Sequence, residues 1–288
     1  MRWLFIGAGN MASSLIGGLL GGGANPEHVA VVDPDESACT RASNAFGIHS
    51  ATGIESVIPS LFSEGDTSRE IGVVIAVKPH IVQAVCKSVA DYMQHKAADT
   101  DINIEPVFIS VAAGVRESSM QAWLPAGSAL IRCMPNTPAL LGLGATALYA
   151  NAECSDKDKS LAEELLKSAG ITIWVDRESD LDAVTAVSGS GPAYFFYLIE
   201  HMVDAGVNLG LARETALTLA IETAFGAASM ARQQQDPPGV LRENVTSKGG
   251  TTAAALGVFN DNNTPAIIHS ALKAAHDRAI ELGDDLAT

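Results

Sequence analysis

The feature that most constrains the fold is a glycine-containing turn between a strand and a helix at the start of the chain. An apolar strand at Leu4–Ile6 runs into Gly7, Gly9 and Ala12 at G-x-G-x-x-A spacing, and a helical stretch follows over residues 12–20. The first glycine permits a tight turn, the second lets a ligand approach the backbone, and the alanine lets the helix pack against the strand. This context favours a dinucleotide-binding turn over a purely structural one.

The next strand, Val29–Val32, ends in an acidic residue, Asp33. A carboxylate at this place can accept hydrogen bonds from the adenosine ribose hydroxyls of a dinucleotide. Asp33 also begins an Asp-Pro turn with Pro34, and the sequence leaves both interpretations open. Asp35 and Glu36 follow, so three acids stand where they should repel a 2′-phosphate, which on electrostatics alone favours NADH over NADPH.

Strand-like and helix-like stretches alternate up to about Asp176. Alternation of this kind predicts a mostly parallel sheet with both faces covered, and continuously apolar runs predict strands buried on both sides. Beyond Glu178 the apolar positions recur at helical spacing. We therefore predict an α/β fold with a dinucleotide-binding domain at 1–177 and an all-helical domain at 178–288. The remaining predicted strands are Gly72–Val77, Val107–Val111, Ala129–Cys133, Ala145–Tyr149 and Ile171–Val175.

Composition and charge restrict the partners and the location. The chain has 288 residues, of which 47% are hydrophobic and 18% are charged, as expected for a globular protein. Its formal charge of -15 opposes nucleic acids and anionic membrane surfaces, so neither is an expected partner. No apolar run is long enough to cross a bilayer, and the strand at the start leaves no room for a secretory signal, so we expect a cytoplasmic protein. The four cysteines lack C-x-x-C spacing and are predicted to be structural thiols rather than metal ligands.

Other candidate ligand-binding segments also follow predicted strands, where sheets of this type bind ligands. Lys78 supplies a cation suited to cofactor or substrate oxygens, and the alternative is a solvated lysine. Asn136 follows the strand at 129–133, and in a plain turn it would be unremarkable. The candidate cofactor-binding residues are Ile6, Gly7, Ala8, Gly9, Asn10, Met11, Asp33, Ala76, Val77, Lys78, Pro79, Ala113, Gly114 and Asn136.

The helical half contains a second candidate anion site. Gly249 and Gly250 lie between the hydroxyl residues Ser247 and Thr251, and an apolar helical run begins behind them. Backbone N–H groups in such a turn can form an anion-binding nest at a helix N-terminus, although the spacing also fits a simple helix cap. Upstream, Pro192 predicts a helix start.

The order of these segments resembles pyrroline-5-carboxylate reductase over nearly the whole chain. The resemblance implies a Rossmann-type domain followed by a helical domain that interlocks in a homodimer, often within a larger ring. It also implies that NADPH or NADH reduces pyrroline-5-carboxylate to L-proline. The resemblance implies that the carboxylate of the substrate lies on the loop from Ser247 to Thr252. The Thr252 hydroxyl would be hydrogen-bonded to the ring nitrogen of the substrate as the catalytic contact. The segments that carry the resemblance are 7–12, 76–79, 112–115, 134–138, 188–193 and 245–256, and the implied substrate-binding residues are Val245, Ser247, Gly249, Gly250 and Thr251.

The sequence departs from the family's pattern in two places. Lys248 replaces a common proline, and Gln235 and Asp236 stand where relatives often carry glutamate. The family usually prefers NADPH, so the acids near Asp33 leave the nucleotide preference open.

Three other functions remain as alternatives. One is a reductase of a related cyclic imine, and another is a nucleotide-sensing protein without turnover, which would not need the hydroxyl and glycine loop. The third is an enzyme similar to β-hydroxyacid dehydrogenases, but the place of their catalytic lysine, four residues after Gly191, is taken by Phe195.

Overall fold

The computed structural model describes residues 1–62, 70–95, 105–234 and 236–286. The polar stretches at 63–69 and 95–105 of the sequence predict surface loops. Residues 63–69 and 96–104 lie outside the described residues, as does Gln235. The chain divides into two compact units, one formed by Met1–Gly189 with Ala275–Thr288 and the other by Ser190–Ala274. The division into domains at 177/178 stays a prediction.

The first unit is built on a twisted sheet that has eight strands in the described part of the chain, in the order β3-β2-β1-β4-β5-β6-β7-β8. Strands β1 to β6 are parallel to their neighbours, β7 is antiparallel to β6, and β8 is parallel to β7. The order 3-2-1-4-5-6 is that of the doubly wound dinucleotide-binding fold, in which chain direction across the sheet switches between β1 and β4. The strands are β1 (Arg2–Ile6), β2 (Val29–Val32), β3 (His49–Ala51), β4 (Glu70–Ile75), β5 (Glu105–Ser110), β6 (Ala129–Met134), β7 (Gly144–Ala150) and β8 (Gly170–Trp174).

Helices cover both faces of this sheet, because successive strand side chains point to opposite sides. Phe5 and Ile109 belong to one buried cluster together with Leu15, whereas Leu4 and Phe108 belong to the cluster on the other face. The helices of the first unit, apart from short 3-10 turns, are α1 (Asn10–Gly21), α2 (Glu36–Phe46), α3 (Ile54–Val57), α4 (Val82–His95), α5 (Glu117–Trp123), α6 (Asp156–Lys167) and α7 (Asp180–Val184), and a π-helical turn follows at Thr185–Gly189.

The predicted α/β class and each predicted strand are confirmed, with two differences. Strand β3 (His49–Ala51) was not predicted, because it has three residues and no apolar run. Strand β8 is not buried on both sides as expected. It is an edge strand, and the side chains of Ile171 and Ile173 are 48% and 56% exposed.

The second unit contains only helices among its described residues, as predicted. α8 begins at Gly191, next to the expected start at Pro192. The buried core of this unit is small and joins α8 to α9 through Val203, Ala216 and Ala220. No described helix combines the length and apolar character that a membrane span requires. The helices are α8 (Gly191–Asn208), α9 (Arg213–Gln233), α10 (Pro238–Asn244), α11 (Thr251–Asp261) and the first part of α12 (Thr264–Asp285).

The last turns of α12 belong to the first unit. Leu286 packs against the buried cluster that contains Val115. A Cβ atom on Gly114 would lie 3.5 Å from Leu286, and one on Gly283 would lie 2.7 Å from Nε of Arg116. The end of the chain therefore contacts the segment between β5 and α5.

The cysteines are all buried and free. Burial raises the pKa of Cys86 to about 12 and that of Cys154 to about 11, so their thiolate forms are scarce at neutral pH. Burial also raises the pKa of Cys133. These are the properties of thiols that pack in a core rather than react.

Candidate functional site

The turn between β1 and α1 needs glycine at its first position for reasons internal to the protein. Gly7 has a φ of 103°, and its N–H donates to the Val32 oxygen at 2.8 Å. A Cβ atom here would lie 2.6 Å from the backbone oxygen of Ala76, at the end of β4. The tight turn that the sequence predicted at Gly7 is present, and it packs directly against the ends of two neighbouring strands.

The protein's own packing does not require glycine at position 9 of the same turn. A Cβ atom on Gly9 would meet no described atom within 4 Å, although Gly9 lines a cavity. Gly9 is the N-cap of α1, and no side chain of the described residues caps this helix. The free N–H groups of the first turn, at Asn10 and Met11, are suited to an anion such as a pyrophosphate. An approaching ligand therefore explains the glycine better than the protein's own packing does.

The cavity beside Gly9 has a volume of about 500 Å³ and lies where β1, β2 and β4 end. This is the switch point of the sheet, the usual ligand position in folds of this kind, and the volume lies within the usual range for small-molecule sites. The predicted residues that line it are Ile6, Gly7, Gly9, Asp33, Ala76, Val77 and Lys78, and the other lining residues include Thr52, Glu55 and His80.

The Asp33 carboxylate joins the glycine turn to the end of β2. Its Oδ2 accepts the N–H of Ala8 at 2.8 Å, and its Oδ1 accepts the N–H of Asp35 at 2.9 Å. The turn that the alternative interpretation expected is therefore present. Each carboxylate oxygen can accept a further hydrogen bond, so the predicted contact with ribose hydroxyls stays a prediction.

Two basic side chains, Lys78 and His80, line the cavity after β4. Lys78 precedes the 3-10 turn Pro79–Ile81 and forms no ion pair with a carboxylate in the described parts of the chain. A lysine beside an uncapped helix N-terminus strengthens the site's attraction for an anion. His80, which was not among the candidate residues from the sequence, also lines a second cavity.

The second cavity, of about 340 Å³, lies at the ends of β5 and β6 within the first unit. Ala113 and Gly114, both predicted to bind cofactor, line it together with Met134. Asn136 lines neither cavity. Its Nδ2 donates to the Ser188 oxygen at 3.1 Å and its Oδ1 accepts the Ala145 N–H at 2.9 Å. Asn136 thus holds β7 and the π-helical turn together, and its contact with a cofactor stays a prediction.

Two ion pairs beside the second cavity were not foreseen. Arg132, 5% exposed in the middle of β6, lies with its NH1 2.5 Å from Oε1 of Glu178. Arg116 NH1 lies 2.8 Å from Oδ2 of Asp182, and both Arg132 and Asp182 line the cavity. A signal was available, because an arginine inside the apolar strand Ala129–Met134 needs a buried partner.

The second unit contains the predicted substrate loop. Gly249 has a φ of 73°, which favours glycine, and Gly250 is the extended N-cap of α11. No described side chain caps α11, so the simple helix cap is not what the structure has. The N–H of Gly250 is used within the turn, where it donates to the Ser247 oxygen at 3.0 Å. The donors left for an anion are therefore the N–H groups of Gly249, Thr251 and Thr252.

Most of this loop is open to solvent. Ser247, Lys248, Gly249 and Thr251 are exposed, and Thr252 is half-buried. Val245 follows α10 and is 62% exposed. The structure thus collects most of the predicted cofactor residues in the first unit and the predicted substrate residues in the second.

The sheet order, the glycine turn and the cavity at the switch point define a Rossmann-type dinucleotide-binding protein. Residues 3–114 match a family model described as NADP oxidoreductase coenzyme F420-dependent. Residues 178–282 match the model described as pyrroline-5-carboxylate reductase dimerisation, so the chain carries an oxidoreductase domain and a dimerisation domain.

Similarity to individual proteins extends over the full length. A pyrroline-5-carboxylate reductase of Pseudomonas aeruginosa is 44% identical over 285 residues, which cover 99% of this chain and 98% of the relative. The structure of a pyrroline-5-carboxylate reductase from Coxiella burnetii aligns with a TM-score of 0.85 at 35% identity and covers 98% of each chain. Plasmodium falciparum pyrroline carboxylate reductase, solved with NADP bound, aligns with a TM-score of 0.80 at 27% identity, again over 98% of each chain. The chain belongs to the pyrroline-5-carboxylate reductase family.

Proposed function

We propose that this protein reduces the C=N bond of 1-pyrroline-5-carboxylate with NADPH or NADH and so forms L-proline, the last step of proline biosynthesis. The observation that carries the proposal is the 44% identity with a pyrroline-5-carboxylate reductase over 99% of the chain. The cavity at the switch point and the uncapped start of α11 support it, because the reaction needs one site for a dinucleotide and another for a small carboxylate.

The nucleotide would bind along the carboxyl ends of the strands of the first unit. The N–H groups at the start of α1 face the pyrophosphate, with Lys78 as an additional cation. Asp33 accepts the ribose hydroxyls, and Ala113 and Gly114 line the end of the site that receives the nicotinamide. When bound, the reduced nicotinamide supplies the hydride, and the protein's contribution is to position it.

The substrate carboxylate would bind at the start of α11. The Ser247 hydroxyl and the N–H groups of Gly249 and Thr251 donate to it, and the helix dipole favours negative charge at this end. Such a local site is necessary because the formal charge of the chain, -15, opposes anions at long range. Lys248 adds a positive charge to the same loop.

The Thr252 hydroxyl is proposed to orient the imine nitrogen. In the reaction the hydride would form a C–H bond at the carbon of the protonated imine. The electron pair of the C=N π bond would become the lone pair of the nitrogen, which keeps its proton. Because the predicted substrate loop contains no carboxylate or histidine, the nitrogen takes this proton from solvent before binding. Thr252 therefore acts by placing the ring rather than as an acid.

Substrate identity is tested by following the oxidation of NADPH and NADH with three candidate substrates. We expect turnover with 1-pyrroline-5-carboxylate, and less with the six-membered cyclic imine. A 2-hydroxy acid with the oxidised nucleotide should be inactive. Activity with the hydroxy acid alone would replace the proposal by a dehydrogenase of the β-hydroxyacid type.

The role of Thr252 is tested by Thr252→Ala. A lost hydrogen bond to a charged nitrogen is worth roughly 1.5–3 kcal/mol, so turnover should fall roughly 10- to 100-fold. Nucleotide affinity, measured by calorimetric titration, should stay nearly unchanged. Thr218→Ala on α9 is the matched control and should keep full turnover. Unchanged turnover of Thr252→Ala would remove this residue from the mechanism.

The active form is proposed to be a cytoplasmic homodimer or a larger homo-oligomer. The second unit buries few apolar side chains of its own and exposes many, among them Phe195, Phe196 and Phe225, each at least 63% exposed. An apolar surface of this kind favours association with a second copy.

A further inference from the structure

The amino terminus of α2 is capped by the side-chain carboxylate of Asp35. Asp35 is the N-cap, and its Oδ1 accepts the N–H of Ser37 at 2.9 Å. Its Oδ2 accepts the Ser37 hydroxyl, also at 2.9 Å. The hydrogen bonds from the Ser37 hydroxyl and N–H lower the pKa of Asp35, so this carboxyl group is ionised at neutral pH.

The nearby cation is engaged with the same group. Arg41 lies one turn further along α2, where its NH1 donates to the Ser37 hydroxyl oxygen at 2.9 Å. Its NH2 lies 3.7 Å from Oδ2 of Asp35. A helix N-terminus, a hydroxyl and a guanidinium are the groups that would bind a phosphate monoester. Here the carboxylate of Asp35 takes the N–H and the hydroxyl of Ser37, and the Arg41 guanidinium donates to the Ser37 hydroxyl oxygen beside it.

Asp35 directly follows two residues that line the dinucleotide cavity. The N–H of Asp35 donates to Oδ1 of Asp33, and both Asp33 and Pro34 line the cavity at the end of β2. Pro34 has no N–H to offer a phosphate. Glu55, another residue of the cavity wall, and Glu36, in the first turn of α2, add further negative charge.

The basic side chains of the cavity follow a different strand. Lys78 and His80 follow β4, and β1 lies between β4 and β2 in the sheet. Two strand spacings separate them from the end of β2 by about 10 Å. In the described residues no lysine or arginine lines the cavity beside Asp33, and Arg41, which does not line it, already pairs with the carboxylate of Asp35.

We propose that this end of the cavity selects a dinucleotide with a free 2′-hydroxyl on its adenosine ribose, that is NADH over NADPH, and that Asp35 excludes the 2′-phosphate. The inference rests on the proposed function, since it requires a dinucleotide in this cavity. Asp33 accepts the ribose hydroxyls with the lone pairs that its two backbone contacts leave free. Asp35 occupies the donors that a 2′-phosphate would need and repels it by charge.

The test is an equilibrium titration of the full-length protein with NADH and NADPH, followed by calorimetry so that no turnover is needed. We expect NADH to bind at least tenfold more tightly. Asp35→Asn removes the charge and keeps an equally good N-cap, so the fold is retained. This variant should lower the ratio of the NADPH dissociation constant to the NADH dissociation constant at least fivefold, mainly through tighter binding of NADPH. Glu153→Gln removes one charge from an exposed turn elsewhere and should leave the ratio unchanged.

The possible results separate the two proposals. NADPH binding as tightly as NADH, or a ratio that Asp35→Asn leaves unchanged, overturns the selection by Asp35 while the reductase function stands. If neither nucleotide binds, the proposed function fails together with the inference. Added salt provides a further check, since the difference between the nucleotides should shrink as charges are screened.

Discussion

The two glycines of the first turn lack a side chain for different physical reasons. Gly7 is required by the backbone, because its φ is positive and the Ala76 oxygen occupies the place of a Cβ atom. Gly9 faces open space within the protein, so only a bound ligand would contact a side chain there. Substitutions at these two positions can therefore distinguish an effect on folding, expected at Gly7, from an effect on ligand binding, expected at Gly9.

Gly9→Ala should leave the free energy of unfolding within about 0.5 kcal/mol of the native value, since no protein atom is displaced. Nucleotide affinity should fall at least tenfold, because the methyl group would hold the pyrophosphate away from the N–H groups of α1. Gly7→Ala is the comparison, and it should lose roughly 1–3 kcal/mol or more of stability. Chemical denaturation and calorimetric titration give both quantities. Unaltered nucleotide binding by Gly9→Ala would place the dinucleotide elsewhere.

Side-chain contacts between distant residues were the part of the site that the sequence could not predict. The segment around Gly7 and Gly9 was recognisable because strand, turn and helix are consecutive in the chain. That the carboxylate of Asp33 would bind Ala8, which lies 25 positions earlier, depends on how β1 and β2 pair. Likewise, the N–H of Gly250 was expected to be available to an anion, but the local turn uses it.

Among the secondary-structure elements, β6 and α7 are connected by a buried charge pair. Arg132 belongs to β6, and Glu178, just before α7, also accepts the N–H of Glu117 at 2.5 Å. The two side chains are 6% and 23% exposed, so removal of one leaves the other charge poorly solvated. The pair thus fixes the segment that leads from the sheet to the π-helical turn.

Glu178→Ala should lower the free energy of unfolding by about 3 kcal/mol, as is typical when one partner of a buried ion pair is removed. Lys167→Ala breaks the exposed pair of Lys167 with Glu163 on α6 and should cost less than about 1 kcal/mol. Urea denaturation of both variants measures the difference. Equal losses in the two variants would show that burial adds nothing to the Arg132 pair.

The elements that the sequence predicted are those whose pattern is local. β1, β2 and β4 are apolar runs bounded by turns, and each was found where expected. β3 (His49–Ala51) has no run of its own and becomes a strand because it pairs with β2 in register Ala30 to His49. The apolar run in β8 indicated a strand correctly but did not indicate that the strand lies at an edge, which depends on the order of the whole sheet.

At the scale of the whole molecule, the described part of the helical unit buries few apolar side chains of its own and exposes many. The contact between α8 and α9 buries three side chains fully, whereas Leu209 is 88% exposed and Phe196 is 65% exposed. The match of residues 178–282 to a dimerisation model agrees with this exposure. The family resemblance of the sequence implied the same association but could not identify the exposed face.

Phe196→Asp should dissociate the proposed oligomer, because it places a charge in the apolar surface that we propose a second copy covers. Sedimentation velocity should show a smaller species, and the melting temperature should fall and lose its dependence on protein concentration. Ala152→Asp adds the same charge to an exposed turn of the first unit and should leave the assembly unchanged. A Phe196→Asp protein that sediments like the native one would contradict this assignment of the interface.

The last turns of α12, beside Gly114 and Arg116, have a consequence for biosynthesis. Domains of a nascent chain generally fold in order as they leave the ribosome. In this protein Ala275–Thr288 belong to the same compact unit as the amino terminus, so the nucleotide-binding half lacks one of its pieces until this segment has been synthesised. The unit that begins first is therefore completed only after the helical unit between its two pieces has been translated.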